Sequence, residues 1–482
     1  MKHLLSLPGS CWRWMAHGRI RRLLLPIGGT ALVVLAIIFM MPNGADVPPD
    51  ELRDEIASAP TFVLPVWTPQ LDEPPVAPSV TPSAQAATPG PTATPRPPAR
   101  PSATPPPSTI PPATTAQARS ELVINPGDNI QAAVSANPEG ATFIIRAGVH
   151  IRQSVVPKAG QSFIGEPGAI LDGENVSLYA FHGSARDVTI RGLVVERYMN
   201  PVQQGAIHGR AAPNGALSSG WRIEGNEIRN NYGGGIRLAP GMQVVSNNIH
   251  HNGQIGLTGG EGSGILIENN EIAFNNTRNV VAGWEAGGTK FVLTDGLVVR
   301  GNFVHDNKGP GLWTDIDNIN TLYEGNTVIN NERMGIFHEI SYAAVIRNNV
   351  VKGNGYGFSA WLWGGQITIA GSSNVEIYQN TVEVGNGDGI VLIQQNRGNG
   401  KFGPHLTQNN HVHHNTITYL TGEGVSGAAA DFQPEMMWGG NNRFDHNIYR
   451  GVDSAARRWE WRGMRTWDDF KSQGQEANGT VG

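Results

Sequence analysis

The strongest constraint on the fold is a phrase, x-Asn-hydrophobic-x-x-Asn, that keeps returning: "GNEIRNN", "NNIHHN", "NNEIAFNN", "GNFVHDN", "GNTVINN", "NNVVKGN" and "QNTVEVGN". One Asn from each, with two weaker copies that follow, gives Asn226, Asn248, Asn270, Asn302, Asn326, Asn349, Asn380, Asn415 and Asn447. Their spacings are 22, 22, 32, 24, 23, 31, 35 and 32 residues, a base period of ~22 with loops inserted in some copies. Self-similarity at such a period is the mark of a solenoid. Each unit alternates short β-branched runs, such as "GILIEN" and "GLVVRGN", with Gly and Asn. A two-residue period cut by turns means strands rather than helices. Two or three strands of roughly 3–5 residues plus turns make one coil of a parallel β-helix.

This phrase resembles the right-handed parallel β-helix family that includes pectate lyases and many bacterial surface proteins, and the resemblance covers about Leu122 to Tyr449. It implies an all-β, single-stranded right-handed solenoid over 120–450, with 451–482 as C-terminal cap and tail. No motif of a specific enzyme family accompanies it. Ahead of the ladder, "NPGDNIQAAVSANPEGATFIIRAGVH" reads as a turn, an amphipathic helix started by Asp128, then a strand. In this family such a helix caps the N-terminal end and blocks edge-to-edge association. "RTWDDFKSQGQ" gives a second short amphipathic stretch, with Trp467 and Phe470 able to cover the last coil. The recurrent Asn residues read as architecture: stacked at a bend, their amides satisfy turn backbone groups that burial would leave unpaired.

The N-terminal quarter is of another kind. Residues 1–22 carry Lys2, Arg13, Arg19, Arg21 and Arg22, and Leu23 to Met41 carries no charge. Nineteen such residues at ~1.5 Å rise nearly match a ~30 Å hydrocarbon core. Basic residues before it and Asp46, Asp50 and Glu51 after it predict a cytoplasmic N-terminus and a single-pass anchor in the cell membrane; the alternative is a cleaved signal and a secreted domain. The segment 42–119 is dominated by Pro, Thr, Ala and Ser, a composition that stays disordered and extended and would hold a folded domain away from the membrane. The formal net charge of −5 and the lack of a basic patch argue against nucleic acid. "GGEGSG" at 259–264 lacks the Lys-Ser/Thr of a phosphate loop, so no nucleotide is expected. Cys11 is the only cysteine, and a monomer is the expectation.

Two neighbouring copies carry acids at one phase: "GLWTDI" (311–316) and "GIFHEI" (335–340). Aligned, they put Leu312 and Ile336 in the core, as well as Ile316 and Ile340. Trp313, Asp315, Phe337 and Glu339 then face outward, while Thr314 and His338 lie inward or at a shoulder. The same strand in other coils is expected to hold Thr258 and Gly260, and Ser359 and Trp361. Two insertions flank the pair. One brings Trp284, Glu285 and Lys290; the other, "YGFSAWLWGGQ", brings Tyr356, Trp361 and Trp363.

Carboxylates walled by Trp284, Trp313, Phe337, Trp361 and Trp363 suit a polysaccharide, because aromatic faces stack on sugar rings. Two chemistries fit. Glycoside hydrolysis would use an acid and a base among Asp315, Glu339 and Glu285. Elimination would use Lys290 or His338 as base, with Asp315, Asp317, Glu285 and Glu339 as Ca²⁺ ligands, of which Asp315, Asp317 and Glu339 are the primary set. The non-enzymatic reading is a carbohydrate- or surface-binding solenoid. "HVHHN" (411–415) has the look of a metal clamp, but His414 and His446 each precede a ladder Asn, which a turn position accounts for.

Overall fold

A computed structural model describes residues 121–212 and 215–482; the basic segment 1–22, the apolar span 23–41 and the linker 42–119 lie outside the described residues. Among the described residues, strands assemble into three long sheets of 13, 13 and 12 strands whose coil-to-coil pairing is parallel. From the coil that contributes Phe181–His182 to the third sheet onward, successive coils give one strand to each sheet. Val298–Arg300, Phe303–His305 and Leu312–Asp315, for example, go to the first, second and third sheets in turn. This is a parallel β-helix.

The period of two decides what fills it. In the first sheet Ile223, Val244, Ile267, Val299, Tyr323, Ile346, Ile377, Val412 and Phe444 stand in register along the inside. All are fully buried, each contributing about 1.5–3 kcal/mol of apolar transfer. At the bends, Asn226, Asn247, Asn270, Asn302, Asn326, Asn349, Asn380, Asn415 and Asn447 form a ladder. Each backbone N–H donates to the Oδ1 of the next Asn at 2.9–3.0 Å. A second ladder, Asn231, Asn252, Asn275, Asn307, Asn331 and Asn354, runs five residues later. The ladder residue in the second copy is Asn247 and not Asn248, which instead opens the strand Asn248–His250, on the opposite face from the buried Ile249.

At the N-terminal end the helix Ile130–Ala136 turns Ile130 and Val134 onto the first coils. Its N-cap is Asn129 rather than Asp128: Asn129 Oδ1 accepts from Ala132 N at 2.8 Å, whereas Asp128 Oδ2 accepts from Asn125 N in the preceding turn. At the other end Trp467 and Phe470, on the helix Trp467–Ser472, pack against Tyr449, Trp459, Trp461 and Phe444. Glu476 closes the first Asn ladder. Its carboxylate accepts from Asn447 Nδ2 at 2.6 Å, Asn447 N at 3.2 Å and Tyr449 Oη at 2.9 Å.

Candidate functional site

The third sheet carries the acids. Its strands pair Leu312 with Ile336, Trp313 with Phe337 and Thr314 with His338, and the outward row runs Arg237, Thr258, Lys290, Trp313, Phe337, Thr368. Lys290 thus belongs to a strand, Gly287–Asp295, one rung before Trp313. The row two residues further on holds Gly260, Val292, Asp315, Glu339 and Ala370. Thr258 and Gly260 take the expected positions. Thr368 and Ala370 hold the places expected of Ser359 and Trp361, which fall in the loop before the strand Gly365–Ala370.

The strand Leu312–Asp315 ends in a bend at Ile316, so Ile316 does not reach the core as expected. Ile316 is 41% exposed, and Leu293, Ile316 and Ile340, each just after an outward-row residue, have φ of 56°, 62° and 33°. The left-handed region is strained for β-branched residues, and it leaves Ile316 outside the core, where Thr314 and His338 sit instead. Both are fully buried. The His338 ring meets Thr314 Oγ1 at 2.7 Å through Nδ1 and the Tyr342 carbonyl at 3.1 Å through Nε2. Burial pushes its pKa down to about 4. It faces the interior of the coil, which argues against its expected role as a base.

Around Asp315 and Glu339 the charges are paired across rungs. Lys290 Nζ meets Asp315 Oδ2 at 2.9 Å, donates to the Trp284 carbonyl at 2.7 Å, and lies 4.2 Å from the Trp313 ring centre. Glu339 Oε2 accepts from Trp313 Nε1 at 3.1 Å, and Oε1 accepts from Arg397 Nη1. Asp315 Oδ1 is buried with no hydrogen-bond partner among the described residues. Burial first, and the Asp315 charge second, push the Glu339 carboxyl up to about 6 against the pull of Arg397.

Arg397 comes from a loop that no repeat announces. The loop forms a small hairpin, pairing Asn399 with Pro404, and it is fastened at three points. Arg397 holds Glu339, His405 Nε2 meets Asp317 Oδ1 at 3.1 Å, and Tyr342 Oη donates to the Gly403 carbonyl at 2.7 Å. A Cβ on Gly400 would stand 1.9 Å from Asp317 Oδ1, so glycine permits this close approach. Asp315, Asp317 and Glu339, expected as a Ca²⁺ set, each face a separate partner, Lys290, His405 and Arg397, and they form no common donor cluster among the described residues.

Glu285 lies one rung further back, where its carboxylate accepts from Thr258 Oγ1 and from Gln203 Nε2. The expected aromatic wall divides. Trp313 and Phe337 stack at 5.5 Å but are only 2% and 3% exposed, so their faces are covered. Trp363 meets Phe337 edge-on, Trp361 lies beside Trp363, and Trp284 and Trp361 are the exposed members. Further along the face a groove of about 550 Å³ is lined by Trp361, Asp388, Trp438 and Glu460 among others. Burial pushes the Asp388 carboxyl up to about 6, and its Oδ2 has no hydrogen-bond partner among the described residues. Arg397, His405, Tyr342, Asp388, Trp438 and Glu460 escaped the sequence reading because none repeats the phrase.

A family model described as "right handed beta helix region" matches residues 215–372, and one described as "periplasmic copper-binding protein (NosD)" matches 299–463. No curated protein matches. Among solved structures, the A-module of the mannuronan C-5 epimerase AlgE6 from Azotobacter vinelandii is similar at 18% identity and TM-score 0.51, covering 73% of this chain and 93% of that one. XylC in complex with xylose is similar at 13% identity and TM-score 0.56, covering 75% and 86%. The chain is a right-handed parallel β-helix repeat protein.

Proposed function

We propose that the outer face of the third sheet binds an extracellular acidic polysaccharide, and that Asp315 and Glu339 cleave it by glycoside hydrolysis. One observation carries this reading: on adjacent rungs, two nearly buried carboxyls are each held by a cation, one has a free oxygen, and the other has a raised pKa. Glu339 is the acid that protonates the glycosidic oxygen. On docking, Asp315 Oδ1, covered in the free chain, attacks the anomeric carbon as the protonated leaving group departs, and Glu339 then takes a proton from the water that hydrolyses the glycosyl ester, which restores both carboxyls. Neighbouring rungs stand ~4.8 Å apart, near the ~5–5.5 Å carboxyl separation of retaining enzymes, so retention of configuration is the expected outcome. A uronate carboxylate on the polymer would draw Arg397 away from Glu339, docking the sugar and freeing the acid together.

Elimination is less well supported, because His338 faces inward and Lys290 is engaged by Asp315 and the Trp284 carbonyl. Two proteins of similar fold, a mannuronan C-5 epimerase and a protein bound to xylose, support a sugar polymer as ligand. We place this domain outside the cell as a monomer, on the 42–119 stalk and anchored by 23–41.

A non-catalytic binding solenoid is favoured by one observation: both carboxyls are only 6% exposed and already paired. Glu339→Gln separates the readings. Loss of reducing-end release with unchanged retention on immobilised polymer supports hydrolysis; full activity removes Glu339 from the site; retention by the unmodified chain with no cleavage favours the binding solenoid.

A further inference from the structure

The turn explanation of "HVHHN" covers His414 and His446, whose φ values are 55° and 58°. It does not cover His411 and His413. They lie on the strand His411–His413 of the first sheet, and the two-residue period points both outward. The neighbouring strand Ser373–Tyr378 pairs Glu376 with His411 and Tyr378 with His413. We propose that Glu376, His411 and His413 form a binding site for a late first-row divalent metal ion, Zn²⁺ or Cu²⁺.

The geometry is close to what such an ion requires. One donor atom from each residue lies within 4.8 Å of the other two. Glu376 Oε2 stands 3.0 Å from His413 Nε2 and 3.5 Å from His411 Nδ1. Tetrahedral donors ~2.1 Å from zinc stand ~3.4 Å apart, so a small movement admits the ion. Two imidazoles and one carboxylate suit zinc and copper rather than calcium, which takes oxygen ligands. Three protein ligands leave a fourth position for water or a bound anion.

The surroundings hold the ligands in place. His413 Nδ1 meets His414 Nδ1 at 2.8 Å, which leaves Nε2 for the metal. The His413 ring is stacked on Tyr378 at 5.1 Å. Arg443 is the opposing element: its Nη2 lies 3.4 Å from His411 Nε2, away from the proposed donor Nδ1. Asp445 beside it carries the opposite charge.

The plain alternative is an ion-pair ladder. Earlier in this sheet acids and arginines alternate in such a ladder, with Glu268 on Arg300 and Glu324 on Arg347. That ladder's row continues from Arg347 to Tyr378 and His413, whereas Glu376 and His411 stand in the row two residues earlier, which holds Leu322 and Val345 in the preceding coils, so the ladder does not account for Glu376 beside two histidines.

The test uses the full chain stripped with chelator, titrated with Zn²⁺ and separately with Cu²⁺ by calorimetry, with thermal unfolding in parallel. One tight equivalent and a rise in Tm are expected. Glu376→Gln weakens that equivalent at least tenfold, and the His411→Asn/His413→Asn double variant abolishes both the equivalent and the Tm rise. His446→Asn, outside the ligand set, leaves them unchanged. Circular dichroism establishes that each variant is folded. Absence of a tight equivalent in the unmodified chain overturns the proposal, as does a folded double variant that binds with unchanged affinity.

Discussion

At the scale of single residues, Glu339 is the position on which the functional reading depends. Its carboxyl is raised to about 6 by burial and by Asp315, so as general acid it is protonated below that pH. The rate of polymer cleavage should fall as pH rises through about 6, and initial rates of reducing-end release across pH 4–8 check this. Glu339→Gln should cost roughly 10²–10⁴-fold in rate. The stability sign follows from the same shift. A carboxyl whose folded pKa lies above its ordinary 4.5 contributes stability that is present below that value and lost as pH rises through about 6. The Gln variant should lack this part of the pH dependence of Tm. The acid phase was legible because Asp315 and Glu339 occupy matching places in two copies of one phrase. Their cation partner Arg397 was not. It arrives 58 residues beyond Glu339 through a hairpin that no periodicity marks.

At the scale of elements, the Asn ladder gives a test between adjacent residues. Asn247 receives the backbone N–H of Asn226 and donates to the Ile223 carbonyl, whereas Asn248 faces outward. Asn247→Ala should destabilise by about 2–4 kcal/mol, because buried partners lose their hydrogen bonds. Asn248→Ala should stay within about 0.5 kcal/mol. Denaturant midpoints of the two variants check this. The phrase alone could not choose between the two, since "NN" satisfies the pattern in either register, and a one-residue slip turns every side chain to the other face. Ile316 and Ile340 were misplaced for another reason: alternation carried past Asp315 and Glu339 puts them in the core, but the chain bends at these residues, with φ of 62° and 33°. Between rungs, Lys290→Met leaves Asp315 buried without its cation, and about 3–5 kcal/mol of stability should be lost, read from the same midpoints.

At the scale of the whole molecule, a solenoid is stabilised repeat by repeat, and its ends need caps. Glu476 is buried where the first Asn ladder ends, and burial pushes its carboxyl up to about 7. Its folded pKa is above the ordinary 4.5, so the stability it contributes is present below that value and lost as pH rises through about 7. Hydrogen exchange should therefore show the last coils opening more readily at pH 8 than at pH 5, with the central coils changing less. The overall architecture was legible because a ~22-residue period leaves few alternatives. The loops over the third sheet were not, because insertions escape the repeat and are placed only by contacts distant in sequence.

The most direct test of the central claim is product analysis after the full chain is incubated with acidic and neutral polysaccharides. New reducing ends are expected from an acidic polymer, with the anomeric configuration retained and no ultraviolet absorbance from unsaturated uronates. Unsaturated products, or binding to the polymer without any cleavage, would contradict it.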